Sequence, residues 1–435
     1  MTIMAQFEER IADWLPLDEA ERRVLESVVL AEKESIAIDD ALDRVLAKDI
    51  SAPSTLPPLD NSAMDGYAIR SIDLKQVTET DPVVFDVVDV IHAGTFFEGE
   101  VRENQAVRIM TGAAVPAGAD TVIRVEHTDA EKNESGKIAI FSDRDRGRNV
   151  RPAGEDWEKG TIVLKAGQSI GPGQITVLAA TRATSIQVFK KPTVAVLASG
   201  NELESLSSSS LDPGKIPESN SHLISSSVKT AGGIAYNLGI AKDDINDIKS
   251  HIASGQSADI LVTIGGASMG EGDLFKECLD QAGFNLDFWR TRIRPGSPVS
   301  FGHLPRDNHK DQIVFGLPGN PSSAMVTFEI LVRPFILAMA GCTHIHRPII
   351  TAVSATDLSS PEHLTEFPRV QLEKRDGRLV FFPADSQGSG LVRSLGSADA
   401  LAIIPQGMSR VSEGSTLDLL LLHDSPGFNN WSKKS

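Results

Sequence analysis

Cysteine is almost absent. The chain carries two, Cys278 and Cys342, in neither a CxxC pair nor a Cys/His cluster. That usage excludes a disulfide framework and a zinc finger, and it fits reduced thiols in a cytoplasmic protein. Aromatic residues reach only 5%, too few to build stacking platforms for bases. Basic residues are outnumbered, 42 Lys and Arg against 59 Asp and Glu, for a formal net charge of −17. Such a surface repels nucleic acid and anionic membranes, so neither is expected as a partner. Any anionic ligand must be held by specific local groups. The ten histidines are scattered, which argues against a Ser-His-Asp triad and a histidine metal site. No run approaches the ~18–20 apolar residues of a membrane span. The first residues, "MTIMAQFEERIADW", turn acidic at once and lack an apolar core of signal-peptide length.

What is present suggests several domains, since 435 residues correspond to three or four at roughly 100–150 residues each. Residues 1–50 show Leu, Val and Ile at helical spacing, which predicts helices over "DEAERRVLESVVLAE" and "IAIDDALDRVLAKDI". Residues 53–147 alternate in short runs between Gly, Pro and Asp turns, which predicts β structure, and residues 148–190 are mixed. From Pro192 the texture becomes strand-loop-helix. "PTVAVLASGNEL", "IAYNLGIA", "DILVTIGG" and "IVFGLPG" alternate with helical segments, the pattern of a parallel α/β domain over 191–345. From about residue 346 short strands return, with a hairpin signal at "KRDGR". The serine tract 206–215 reads as a mobile surface loop.

Several stretches carry chemistry. Parallel sheets bind ligands at the carboxyl ends of their strands, and "ASGNE", "IGGASMGEGD" and "GLPGNPSS" all fall there. Glycines free backbone N–H groups to face an anion before a helix start. Asp273 either caps that helix or, with Glu271, holds a cation against a phosphate. Pro318 and Pro321 stiffen the third loop, and Ser322 and Ser323 open the next helix. Glu202 ends the first strand, a position for a metal ligand or a base. If "RTRIRPGSP" is a strand, Arg290, Arg292 and Arg294 share one face. Glu155 and Asp156 sit near Arg148 and Arg151, an arrangement that more often makes salt bridges than a catalytic pair. In "LPPLDNSAMDGYAIR" (56–70), the prolines fix the approach and Gly66 the turn. Local physics does not separate Asp60 from Asp65 there.

Taken together, "PPLDNSAMDGYAIR", "RIMTGAAVPAGADTVIRVE", "NVRPAGEDW", "SGNEL", "GGASMGEGD", "RPGSP", "GLPGNPSSA" and "EFPRVQLE" resemble the molybdopterin molybdenumtransferase family (MoeA and the gephyrin E domain), in family order along nearly the whole chain. The resemblance implies an α/β multidomain fold. A mixed N-terminal domain (1–52 plus 148–190) would be interrupted by a β domain (53–147). A three-layer parallel α/β/α molybdopterin-binding domain (191–345) and a small C-terminal β-barrel (346–435) would follow. It also implies magnesium-dependent insertion of molybdate into adenylylated molybdopterin, with release of AMP, by a cytoplasmic homodimer whose active site lies between subunits. The adenylyltransferase and apo-molybdoenzymes would be further partners.

Carried over residue by residue, the resemblance implies catalytic roles for Asp60, Thr111, Glu202 and Asp273. It implies substrate binding by Gly265, Gly266, Ser268, Gly270, Pro318, Gly319, Asn320, Pro321, Ser323, Arg294, Arg369 and Ser389. Magnesium would be held by Glu202, Asp243, Asp244 and Asp273. In the first motif, Asp60 would face the partner's cleft. Asn61, Ser62 and Asp65 would hold the loop in shape, and Met64 and Tyr67 would pack it down. Three positions depart from the family pattern: Ser297, where lysine is frequent; Asn201, for aspartate; and Ile264, for serine. Losing the lysine removes a point charge, for which Arg292 or Arg294 is the available replacement. Two other functions fit the same fold: a non-catalytic cofactor scaffold, distinguished by binding without AMP release, and a molybdopterin adenylyltransferase, distinguished by AMP transfer from ATP.

Overall fold

A computed structural model of the chain describes residues 14–74, 77–133, 136–208, 212–265, 274–306 and 310–423. The chain divides into two compact units: residues 1–47, 167–171 and 185–435 form one, and residues 48–166 and 172–184 the other.

The first unit is built on a six-stranded sheet, in the order Ile234–Ala241, Thr193–Ser199, Ile260–Ile264, Gln312–Leu317, Ser300–Leu304, Asn285–Trp289. The four strands expected from sequence pair in parallel, while Ser300–Leu304 runs antiparallel to both its neighbours. The sheet is therefore mixed, which corrects the all-parallel expectation. Between Asn285–Trp289 and Ser300–Leu304 the chain passes through the short strand Ile293–Arg294 and no helical crossover, so the two pair antiparallel. Ile260–Ile264 and Gln312–Leu317 are buried at every residue, as near-continuous apolar strands must be when both faces are covered. Val194, Val196, Val262 and Phe315 pack on one face with Ile224 and Val228 of the helix Asn220–Thr230. Ala195, Leu197, Leu261 and Val314 pack on the other, against the helices Ile245–Ser254 and Leu274–Gln281.

The helical stretch Pro321–Met339 is long and apolar enough on average to cross a membrane, but it is interrupted by Glu329 and Arg333 and 78% of it is buried inside the protein, as a core helix is. Phe328–Val332 within it is a π-turn. Pro334 follows, a residue with no N–H to give and a ring that would crowd the carbonyl four residues back in a regular helix. Within the turn, Glu329 is 6% exposed and accepts from Arg347 Nε at 2.9 Å. The C-terminal strands Ile349–Ser354, Arg378–Pro383, Arg369–Arg375, Ala400–Ala402 and Thr416–Leu421 close into a barrel. Its hairpin turns where expected, with Arg375 opposite Arg378 and positive φ at Asp376 and Gly377.

Helix holds only in part over residues 1–50. Leu17–Glu26 is helical, with Ala20 and Val24 buried. The second expected helix, over 36–50, does not form: Lys33–Ala37 is a strand paired with Ser185–Phe189, Ile38–Asp40 a single 3-10 turn and Ile50–Ser51 a short strand. The partner strand, distant in sequence, overrides the local periodicity.

The second unit holds a five-stranded sheet in the order Thr121–Arg124, Gly66–Ile69, Gln105–Ile109, Val83–Ile91, Lys137–Ile140, the β structure expected over 53–147. It carries apolar cores on both faces, one around Tyr67, Phe85 and Ile123, the other around Ala68, Val107 and Val122. Gly66 is compulsory: a Cβ there would lie 2.0 Å from the Ile123 carbonyl oxygen. Below this sheet Asp145, 3% exposed, accepts from the Arg124 amide at 3.0 Å and from its Nε at 3.1 Å, with His127 Nδ1 at 2.9 Å. Burial pushes the Asp145 carboxyl up, but the Arg124 guanidinium and amide outweigh it and hold it below the usual carboxylate range. Its stabilisation is therefore complete above the unfolded value of about 3.9 and is lost as pH falls through the lower folded value. The Asp145→Asn variant is expected to lose about 1–3 kcal/mol at neutral pH. Thermal unfolding followed against pH should show the gap to the parent protein closing below about pH 4.

Candidate functional site

In the first unit, the four parallel strands end on one edge. Thr193–Ser199 leads into Gly200-Asn201-Glu202, Ile234–Ala241 into Lys242-Asp243-Asp244, Ile260–Ile264 into Gly265, and Gln312–Leu317 into Pro318-Gly319-Asn320. Strand order reverses between Thr193–Ser199 and Ile260–Ile264, the switch point at which open α/β sheets bind ligands. Gly265, at φ 94°, sits there, and a Cβ on it would lie 2.8 Å from the Ser199 carbonyl oxygen. Gly266, Ser268, Gly270, Glu271 and Asp273 lie outside the described residues, as do Ser209, Ser210 and Leu211 of the serine tract.

The acids of this edge differ in what they have left to offer. The Asp244 side chain caps the helix Ile245–Ser254, accepting from the Asn246 and Asp247 amides at 3.0 Å. Asp243 Oδ2 accepts from the Asn201 amide at 3.0 Å, and Asn201 Oδ1 accepts from the Asp243 amide at 3.2 Å. An aspartate at 201 would place a second carboxylate on that clasp, whereas asparagine leaves only that of Asp243. Among the described residues, no three His, Cys, Asp or Glu side chains are grouped to hold a metal.

The anion-facing half gathers around Pro318–Ser323. Pro321 opens the helix at its first position. Asn320 Nδ2 donates to Ser389 Oγ at 3.0 Å, and the Ser322 amide donates to the Ser389 carbonyl at 3.1 Å. Arg369 is fully buried. Its Nε donates to Ser394 Oγ at 2.8 Å and an Nη to the Ser386 and Gly388 carbonyls at 3.3 and 3.2 Å. These partners are a hydroxyl and two carbonyls, none of them a carboxylate, and burial pushes the Arg369 pKa down. Ser323 is 5% exposed, inside the first helical turn.

Arg290, Arg292 and Arg294 do not share a strand face. Arg290 turns at φ 79° and lies over the Trp289 and Trp14 rings, at 4.2 and 5.2 Å. The Arg292 amide donates to the Leu15 carbonyl, and only Ile293–Arg294 is a strand, paired with Thr365–Glu366. Proline and glycine in "RPGSP" end the extended run too soon for alternation. Ser297 Oγ donates to the Ile293 carbonyl, so its hydroxyl does not stand in for a lysine. The exposed Arg294 lies 3.5 Å from Glu366.

In the second unit, "LPPLD" and "PAGEDW" are zipped together. The Gly154 amide donates to the Pro57 carbonyl, and the Asp156 and Trp157 amides donate to the Leu56 carbonyl. Asp60 Oδ1 accepts from the Ala153 amide at 2.7 Å. Between these loops lies a cleft of about 400 Å³ lined by Leu56, Pro57, Asn61, Arg151, Glu155 and Asp156. Ser62 Oγ bonds the Met64 carbonyl and Asp65 Oδ1 accepts twice from Thr111, so these side chains hold the loop in shape as expected. Tyr67 packs fully, but Met64 is 39% exposed. The turn aims Met64 away from the sheet, contrary to expectation.

Asn220 was not among the expected site residues, and Asn61, expected to hold its loop in shape, instead leaves its side-chain oxygen unpaired among the described residues. Asn220, 9% exposed, donates from Nδ2 to the Gly319 carbonyl at 2.6 Å while its Oδ1 has no partner among the described residues. Asn61 Oδ1 is likewise buried and unpartnered beside the cleft. A buried orphan acceptor leaves no mark in a single sequence.

Comparison with known proteins agrees with this architecture. Residues 15–181 match the MoeA N-terminal region (domains I and II), 195–338 a probable molybdopterin-binding domain, and 351–422 the MoeA C-terminal region (domain IV). The molybdopterin molybdenumtransferase of Bacillus subtilis is 35% identical over 415 residues, 95% of each chain. That of Haemophilus influenzae is 32% identical over 409 residues, 93% of this chain and 98% of its own. The crystal structure of the molybdopterin biosynthesis MoeA protein from Pyrococcus horikoshii OT3 superposes with a TM-score of 0.80 at 28% identity, covering 94% of this chain and all of that one. With motifs, sheet, barrel and near-full-length identity in agreement, the chain belongs to the molybdopterin molybdenumtransferase family.

Proposed function

We propose that this chain is the transferase that inserts molybdate into adenylylated molybdopterin with release of AMP, using magnesium. It would act in the cytoplasm as a homodimer in which each active site draws on two copies. The observation that carries the reading is the strand edge of the first unit. Acids at Glu202 and Asp243 sit on the same edge as the stiffened Gly319–Ser323 loop and the helix start behind it. The former suits a cation and the latter an oxyanion.

Magnesium keeps most of its waters and is typically held by one or two carboxylates plus substrate phosphates. Glu202 and Asp243 meet that demand without Asp244, whose side chain is occupied in capping. When bound, the cation offsets phosphate charge. The chain's own residues do the positioning. Asn320 orients the Ser389 hydroxyl. Arg369 holds the Ser386–Gly388 backbone beneath it and supplies positive charge to an anion above. With Ser297 bonded to its own backbone, Arg294 is the exposed cation of the loop. Cleavage of the adenylyl link is then a matter of alignment and charge stabilisation. Delivery partners would be the adenylyltransferase upstream and apo-molybdoenzymes downstream.

Cofactor assembly from adenylylated molybdopterin, magnesium and molybdate, with AMP release measured, tests the reading. The Asp60→Ala and Asp273→Ala variants are expected to lose activity by about tenfold or more; full activity in both would overturn the residue assignment. Stoichiometric binding of the intermediate without AMP release would indicate a scaffold instead. Replacing Arg369 by Met strands several buried acceptors, each costing about 1–3 kcal/mol. Hydrogen exchange should quicken over 386–391, and the molybdate concentration needed for half-maximal rate should rise.

A further inference from the structure

We propose that Asp65 is a positioning residue that commits the Thr111 hydroxyl to act as a hydrogen-bond acceptor toward the substrate complex. This inference rests on the proposed transferase function and on the catalytic role that the family resemblance implies for Thr111.

A threonine hydroxyl has one hydrogen to donate and two lone pairs to offer. Thr111 donates that hydrogen to Asp65 Oδ1 at 2.8 Å, and its backbone amide donates to the same oxygen at 2.7 Å. An ionised carboxylate only accepts, so the direction of the bond is fixed. Both partners are held from behind. Asp65 precedes the fully buried strand Gly66–Ile69, and its carbonyl accepts from the Val125 amide at 3.2 Å. The Thr111 segment is pinned by the Gly112 amide on the Ser62 carbonyl at 2.8 Å and by the Ser62 amide on the Ala113 carbonyl at 2.9 Å.

A loop tie needs only the amide bond. The hydroxyl bond adds nothing to the path of the chain, but it turns the exposed Thr111 oxygen into a pair of outward lone pairs. Asp60, on the neighbouring loop, is likewise an acceptor, with one carboxylate oxygen bonded to Ala153. What meets Thr111 is therefore a donor, a water of a hydrated cation or an amino N–H of the substrate. A phosphate or molybdate oxygen has no hydrogen to give and is not its partner.

The test uses the full-length protein in the assembly assay, with Thr111→Val, Asp65→Ala, Asp65→Asn and the Asp65→Ala/Thr111→Val double variant. Thr111→Val and Asp65→Ala should each lower kcat by about tenfold or more. The double variant should be no worse than Thr111→Val alone, because the two act as one unit. Asp65→Asn keeps an oxygen facing the Thr111 amide and should recover most of the loss. Full activity of Asp65→Ala beside an impaired Thr111→Val overturns the inference while leaving the enzyme reading intact, and so does an additive double variant. If the parent protein does not turn over, the enzyme reading fails. The positioning is then judged by three-bond couplings to the Thr111 methyl: one rotamer in the parent and Asp65→Asn, averaging in Asp65→Ala. A single rotamer in Asp65→Ala overturns it.

Discussion

The parallel pairing of Thr193–Ser199 with Ile260–Ile264 is the constraint on which the first unit depends. Val194 opposite Ile260 through Ala198 opposite Ile264 sets a register that brings Glu202 and Gly265 to the same end of the sheet. Both strands are buried on both faces, so a slip of one residue would exchange the side chains packed against two different helical layers. The register also explains Gly265. With Ser199 directly alongside, there is no room for a Cβ before the chain leaves the sheet.

Charge is handled locally. In a chain of net charge −17, asparagine at 201 and the buried Arg369 both limit the negative charge around the proposed site. Asparagine at 201 leaves that clasp with the one carboxylate of Asp243 where aspartate would have made two. The buried guanidinium brings a positive charge to the anion side, where it is screened little by water. The loops of the second unit follow the same economy of groups: a single oxygen of Asp65 satisfies two donors, and a single oxygen of Asp60 holds the neighbouring loop.

The sequence disclosed this fold unevenly. Continuous apolar runs such as "PTVAVLAS" and "DILVTI" are unambiguous, because burial on both faces leaves one reading. Lys33–Ala37 was illegible, since its partner lies at Ser185–Phe189 and its own spacing suits a helix. The antiparallel strands Asn285–Trp289 and Ser300–Leu304 were hidden by the arginine-rich turn between them. Among the site residues, the glycine and proline loops announced themselves by backbone restriction. Asn220 and Asn61 did not, because what distinguishes them is an unmet acceptor, a property of the surroundings and not of the residue.

The π-turn at Phe328–Val332 has a consequence at the other end of its helix. A π-turn holds one residue more than an α-turn, and each helical residue advances the winding by about 100°. The segment Pro321–Thr327 is thus indexed against Arg333–Met339 by that one surplus residue, with Glu329 and Arg347 holding the count. Deleting Glu329 would leave a more regular helix and keep the buried Phe328, Ile330, Leu331 and Val332. It would nevertheless rotate Asn320 and Ser322 away from Ser389. The orientation of the anion-facing loop is set like a key on a shaft, by a count of residues kept deep in the core.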